Sequence, residues 1–235
     1  MRHDEGAPWA GVIPESDLAV YQQAGYGRED GLGRRPALLV VDATYGFVGD
    51  RDVPVAESIR RYPKSSGAMA WSAVRALQRL LPRARAAGIP VIYSINPPRP
   101  SSTHSGGWGR KLTARGAPDD GPAEWEIVAE VAPAEGDLIV QKTKPSAFFG
   151  TPLISWLVQL QADTVLVAGG TTSGCVRASV IDAFSYNYRV AALSDATFDR
   201  AEIVHRVNLF DVQQKYGDVL TVDGAMEYID SLAQP

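Results

Sequence analysis

The first ordered signal along the chain is a continuous apolar run, Ala37-Leu-Leu-Val-Val41, which stops at Asp42. A short apolar run bounded by polar residues predicts a strand buried on both faces. Val74, Leu77, Leu80 and Leu81 then recur at helical spacing and predict a helix over about 68–87. Pro82 is expected to end or kink that helix, and Gly88 to stop it. Further strands are predicted over 91–95, 138–141, 164–168, 190–193 and 219–222. Helices are predicted over 152–161, 174–186, 200–214 and 223–232. Strands that alternate with helices make βαβ units, parallel pairing and right-handed crossovers. The expected fold class is therefore α/β, a three-layer α/β/α domain on a mainly parallel, Rossmann-like sheet of about six strands. Residues 1–30 show no apolar period and read as an irregular N-terminal arm before a domain over 31–235. Residues 96–121 are rich in Pro, Ser and Gly and read as one long loop.

Composition narrows the function classes. The 235 residues include 23 Lys+Arg and 27 Asp+Glu, a net charge of −4, which gives no electrostatic reason to bind nucleic acid or an anionic membrane. The single Cys excludes an internal disulfide. No stretch reaches the ~18 apolar residues of a membrane span, and the polar start has no apolar segment behind it. A cytoplasmic protein acting on a small molecule is the expectation.

In a parallel α/β sheet, ligands bind at the carboxyl ends of the strands. Three chemically capable residues fall there: Asp42 after the first strand, Lys142 after the third, and Cys175 after the fourth, in Gly169-Gly-Thr-Thr-Ser-Gly-Cys-Val-Arg177. A thiol at a helix start, beside a Lys, is expected to have a lowered pKa and act as a nucleophile. A carboxylate can take its proton, and backbone N–H groups can hold an oxyanion. A bland reading stands beside each. A lone Cys is often buried filler, an Asp at a strand end often caps a turn, and strand alternation points either Lys142 or Lys144 inward. The Gly-rich turn lacks the spacing of a dinucleotide or P-loop motif.

These residues resemble the isochorismatase-like cysteine hydrolase superfamily, within it the branch of N-carbamoylsarcosine and maleamate amidohydrolases. The resemblance covers about 31–234. It rests on Arg35-Pro-Ala-Leu-Leu-Val-Val-Asp42, Lys142-Thr-Lys-Pro-Ser-Ala-Phe-Phe-Gly-Thr151, Gly170-Thr-Thr-Ser-Gly-Cys-Val-Arg177, and a tail of Asp199-Arg200 with Asn208-Leu-Phe-Asp-Val-Gln-Gln-Lys-Tyr-Gly-Asp-Val219. It implies an Asp42–Lys142–Cys175 triad, with Lys142 chosen over Lys144. It also implies a non-proline cis bond at Gly170–Thr171, and the Thr171 and Cys175 N–H groups as oxyanion hole. The implied reaction cleaves a C–N bond of a small carboxylate-bearing amide or N-carbamoyl compound through a cysteine acyl-enzyme, releasing ammonia. Arg200 is either the partner of the substrate carboxylate or part of a turn tying a loop to the next helix. Trp108, Arg110 and Lys111 are placed in a loop over the site. Neighbouring subunits help line the family's pockets, which implies a homo-oligomer, a dimer or tetramer. No cofactor is implied. No metal is expected, because His3, His104 and His205 lack the Asp-x-His spacing of the metal-bearing relatives. Two alternatives remain: vinyl-ether hydrolysis of isochorismate with Asp42 as acid, and a non-catalytic small-ligand scaffold.

Overall fold

The computed structural model describes residues 6–98, 103, 106, 107, 111, 118 and 120–233. His3, His104, Trp108 and Arg110 lie outside them, and Lys111 is exposed. Strands β1 (Pro36–Val41), β2 (Val91–Ile95), β3 (Leu138–Gln141), β4 (Thr164–Gly170), β5 (Arg189–Phe198) and β6 (Asp218–Leu220) form one sheet in the order β3-β2-β1-β4-β5-β6. Every pairing is parallel. The chain order reverses beside β1, so the carboxyl ends of β1 and β4 flank the crevice where such sheets bind ligands.

All six residues of β1 are buried. Their side chains alternate between two cores. Leu38 and Val40 face α2 (Ala68–Ala86) and α6 (Val222–Leu232), through Trp71, Val74, Leu77, Leu80, Ala225 and Ile229. Leu39 and Val41 join the core that contains Leu153 and Leu157 of α3 (Leu153–Gln159), Val180 and Ala183 of α4 (Arg177–Ser185), and Leu209 and Phe210 of α5 (Glu202–Lys215). Helices on both faces and a sheet between them give the expected three layers.

Four details depart from the sequence pattern. Helix α2 runs straight past Pro82. Pro82 and Gln78, whose carbonyl loses its partner, are both exposed, so that carbonyl is open to solvent while the apolar face holds the helix together. It stops at Gly88 (φ +71°), where Ile89 N–H closes on the Ala84 carbonyl at 3.0 Å. Strand β5 is longer than the apolar run 190–193. A bulge between Val167 and Gly169 lets its polar second half pair on, Thr197 opposite Gly169 and Phe198 opposite Gly170. The arm contains a helix, α1 (Glu15–Gln23), with no fully buried residue. Only Leu18 and Tyr21 lean on the second core, too sparse a stripe to show as a period. Finally, β6 and α6 begin earlier than their predicted starts.

The arm packs on its own chain. Trp9 is buried and meets Phe210 edge-on at 5.8 Å. Arg206 donates to the Pro8 and Ala10 carbonyls, and Asp218 accepts from the Asp30 and Gly31 N–H groups at 3.0 and 2.8 Å.

Candidate active site

Asp42 is the first residue after β1. Strand alternation would send its side chain toward α2, with Leu38 and Val40. Instead its φ is +45°, a left-handed conformation that Asp tolerates better than most residues. The carboxylate meets Ser94 of β2 and Lys142, the residue after β3. Oδ1 accepts from Ser94 Oγ at 3.1 Å, and Oδ2 lies 2.7 Å from Lys142 Nζ. Ser94 sits opposite Val41 in the β1–β2 register.

Lys142 directly follows β3 and shares the inward parity of Val140, while Lys144 is only half-buried. Lys142 is fully buried, yet its ammonium is satisfied by the Asp42 carboxylate, the Lys144 carbonyl at 3.3 Å and Cys175 Sγ at 3.4 Å. Burial pulls its pKa down, but Asp42 and then Cys175 outweigh burial and leave it above the usual lysine value.

Cys175 is carried by a π-helical turn, Thr172–Val176, ahead of α4. Gly174 breaks the helical dihedrals there (φ −110°, ψ −106°), and the Thr171 carbonyl accepts from both Gly174 and Val176 N–H at 2.9 and 3.1 Å. The Gly170–Thr171 bond is cis. Ser179 Oγ donates to the Cys175 carbonyl (2.7 Å) and accepts from Ala147 N–H (2.9 Å), which fixes the turn to the loop that follows Lys142. The two glycines at the end of β4 allow this close packing. A Cβ on Gly169 (φ +94°) would lie 1.9 Å from the Val41 carbonyl oxygen, and one on Gly170 would lie 2.2 Å from the Phe198 ring.

The expected lowering of the thiol pKa is not what the structure shows. Cys175 is 3% exposed. Burial first, and the Asp42 charge second, push the thiol up to about 12, against the opposing pull of Lys142. Burial therefore favours the protonated thiol in the substrate-free site, beside Asp42 and the Lys142 ammonium.

Arg200 stands at the rim. It donates to the Lys64 carbonyl, sits 6.0 Å from the Phe47 ring centroid, and is close enough for its charge to interact with Cys175. Burial lowers its pKa. The pair reaches beyond the next helix, Arg200 to Lys64 and Phe47 and Asp199 to the turn that bears Cys175. Asp199 is buried and accepts from Ser173 N–H and Oγ at 2.8 and 2.7 Å, so it clamps the turn that bears Cys175. Ser94 and Asp199 were not singled out as site residues in the sequence. The only hint of Ser94 is a polar residue inside an apolar strand. Among the described residues, no three His, Cys, Asp or Glu side chains gather at metal-ligand spacing, and no helix is long and apolar enough to cross a membrane.

Comparison with known proteins identifies the family of the chain. N-carbamoylsarcosine amidase from Arthrobacter sp is 32% identical over 226 residues, 94% of this chain and 81% of that protein. Maleamate amidohydrolase from Pseudomonas putida is 35% identical over 212 residues, 90% of this chain and 94% of that one. The solved cysteine hydrolase from Pseudomonas syringae pv. phaseolicola superposes with a TM-score of 0.74 at 25% identity, covering 88% of this chain and 98% of its own. Residues 36–224, which hold every strand of the sheet and all three polar groups at its strand ends, match the isochorismatase domain, and the chain belongs to that family.

Proposed function

We propose that this protein is a cysteine amidohydrolase that cleaves a C–N bond of a small carboxylate-bearing amide or N-carbamoyl/ureido compound and releases ammonia. The observation that carries the reading is one ammonium, Lys142 Nζ, 2.7 Å from Asp42 and 3.4 Å from Cys175. Asp42 takes the Cys175 proton. The site's net charge does not change, because carboxylate, ammonium and thiol become carboxylic acid, ammonium and thiolate. Moving the proton within the set therefore avoids the cost of adding a buried charge. The thiolate attacks the carbonyl carbon, and the Thr171 and Cys175 N–H groups receive the oxyanion. The C–N bond breaks as Asp42 returns the proton to nitrogen, and ammonia leaves. Asp42 then deprotonates a water that attacks the acyl- or carbamoyl-enzyme, and the sulfur regains its proton. Arg200 binds the substrate carboxylate. We assign no step to a metal or cofactor. The same reading makes the enzyme a dimer or tetramer, which light scattering on the purified protein checks.

The buried, protonated thiol also fits a second reading, vinyl-ether hydrolysis with Asp42 as the acid, which needs no sulfur nucleophile. Ammonia release from a panel of maleamate, N-carbamoyl amino acids and ureidoacrylate, with Cys175→Ala and Asp42→Asn beside wild type, decides. Both variants are expected to be inactive. Full activity in Cys175→Ala ends the thiol mechanism. Loss of isochorismate turnover in Asp42→Asn alone, with no amide cleaved by wild type, favours the second reading.

A further inference from the structure

His205 is the one histidine among the described residues, and its ring bonds the turn that carries Cys175 rather than the sulfur. Its Nδ1 lies 2.7 Å from Thr172 Oγ1, in the turn that carries Cys175. The Ser194 backbone, in the polar half of β5, is near enough to the ring to influence its charge. In the neutral tautomer with its N–H on Nε2, Nδ1 accepts the Thr172 hydroxyl proton. Thr172 is 1% exposed, so its hydroxyl needs that acceptor. His205 on α5 and Asp199 at the end of β5 thus grip successive residues of one turn, Thr172 and Ser173.

We propose that His205 is a positioning residue for Cys175: while neutral, its ring holds Thr172 and so fixes the turn that presents the sulfur, and protonation of the ring releases that hold. The inference rests on the reading of Cys175 as the nucleophile. A protonated ring carries a proton on both nitrogens, so Nδ1 no longer accepts, and the buried Thr172 hydroxyl proton loses the one acceptor it has among the described residues. The charged groups that bear on the ring are Asp199 at the end of β5, and Glu202 and Arg206 on its own helix. Burial is the largest influence and keeps the ring neutral to a pH below the ordinary histidine value, against the upward pull of Asp199. The hold therefore persists at neutral pH and fails on the acid side.

The test measures kcat, KM and their pH profiles with the fastest substrate of the amide panel. His205→Ala and Thr172→Val are each expected to lower kcat about 10- to 100-fold with little change in KM. The double variant should fall no further than either single one. His205→Asn, which keeps an acceptor near the Nδ1 position, should recover most of the rate. It should also lack the acid-side group below about pH 6.5 that is expected in wild-type kcat/KM. An unchanged acid limb in His205→Asn overturns the inference, and so does a wild-type kcat in His205→Ala. Either result beside an inactive Cys175→Ala leaves the proposed reaction standing. An active Cys175→Ala removes both.

Discussion

The most exposed quantity in this account is the protonation of Cys175. A thiol pushed up to about 12 is ionised to only about 10⁻⁴ at pH 8, where a free thiol near ~8.5 is about one quarter thiolate. Alkylation by iodoacetamide reports the thiolate directly. The protein has one cysteine, so the intact mass counts adducts at Cys175 alone. In the substrate-free enzyme the second-order rate should be about two orders of magnitude below that of a free cysteine at pH 8, since a more basic thiolate regains part of the loss in nucleophilicity, and should climb close to tenfold per pH unit from pH 8 to 10. Burial also slows access by a constant factor, so the slope is the sharper measure. Asp42→Asn removes the carboxylate charge that raises the thiol pKa and leaves Lys142, which lowers it. That variant should alkylate faster than wild type at pH 8 while losing turnover. A wild-type rate that levels off near pH 8, or an Asp42→Asn sulfur slower than wild type, would refute the charge balance drawn here.

Three further outcomes follow from the same geometry. Lys142 and Cys175 both hold their protons more tightly folded than unfolded, so their contribution to stability is complete below about pH 8.5 and is lost as pH rises toward their folded values; urea melts between pH 7 and 10.5 should show that decline, shallower in Cys175→Ala. Arg200→Ala should raise KM about 10- to 100-fold for carboxylate-bearing amides and leave uncharged amides nearly unaffected, the loss of a charged hydrogen-bonded pair; equal effects on both would remove Arg200 from recognition. Gly169→Ala should cost more than about 3 kcal/mol by chemical denaturation, because its Cβ would meet the Val41 carbonyl at 1.9 Å on a φ of +94°.

Strand β1 was legible because a strand buried on both faces must be apolar, so Asp42 marks where it stops, and the glycines that close β4 mark the turn toward Cys175; edge strand β3, half exposed, is bounded more weakly by Gln141 and Lys142. The choice of Lys142 over Lys144 needed either the family motif or the register with Val140. The thiol pKa was illegible, since helix start and lysine argue downward from sequence, while burial and the distance to Asp42 exist only in three dimensions. Ser94 and Asp199 stayed hidden for the same reason. A serine within a strand and an acid beside an arginine are ordinary until folding aims them at Asp42 and at Ser173. The polar stretch 194–198 read as the end of a strand, because a bulge that resumes pairing leaves no mark in hydropathy.

Counter-ions cannot approach an ammonium with no accessible surface, whereas the Arg200 side chain keeps 37% of its own. Dissolved salt therefore acts at the mouth of this site and not at its floor. Raising ionic strength should weaken capture of an anionic substrate while the turnover of bound molecules stays constant, so the enzyme would meet a saline cell as a change in appetite rather than in speed.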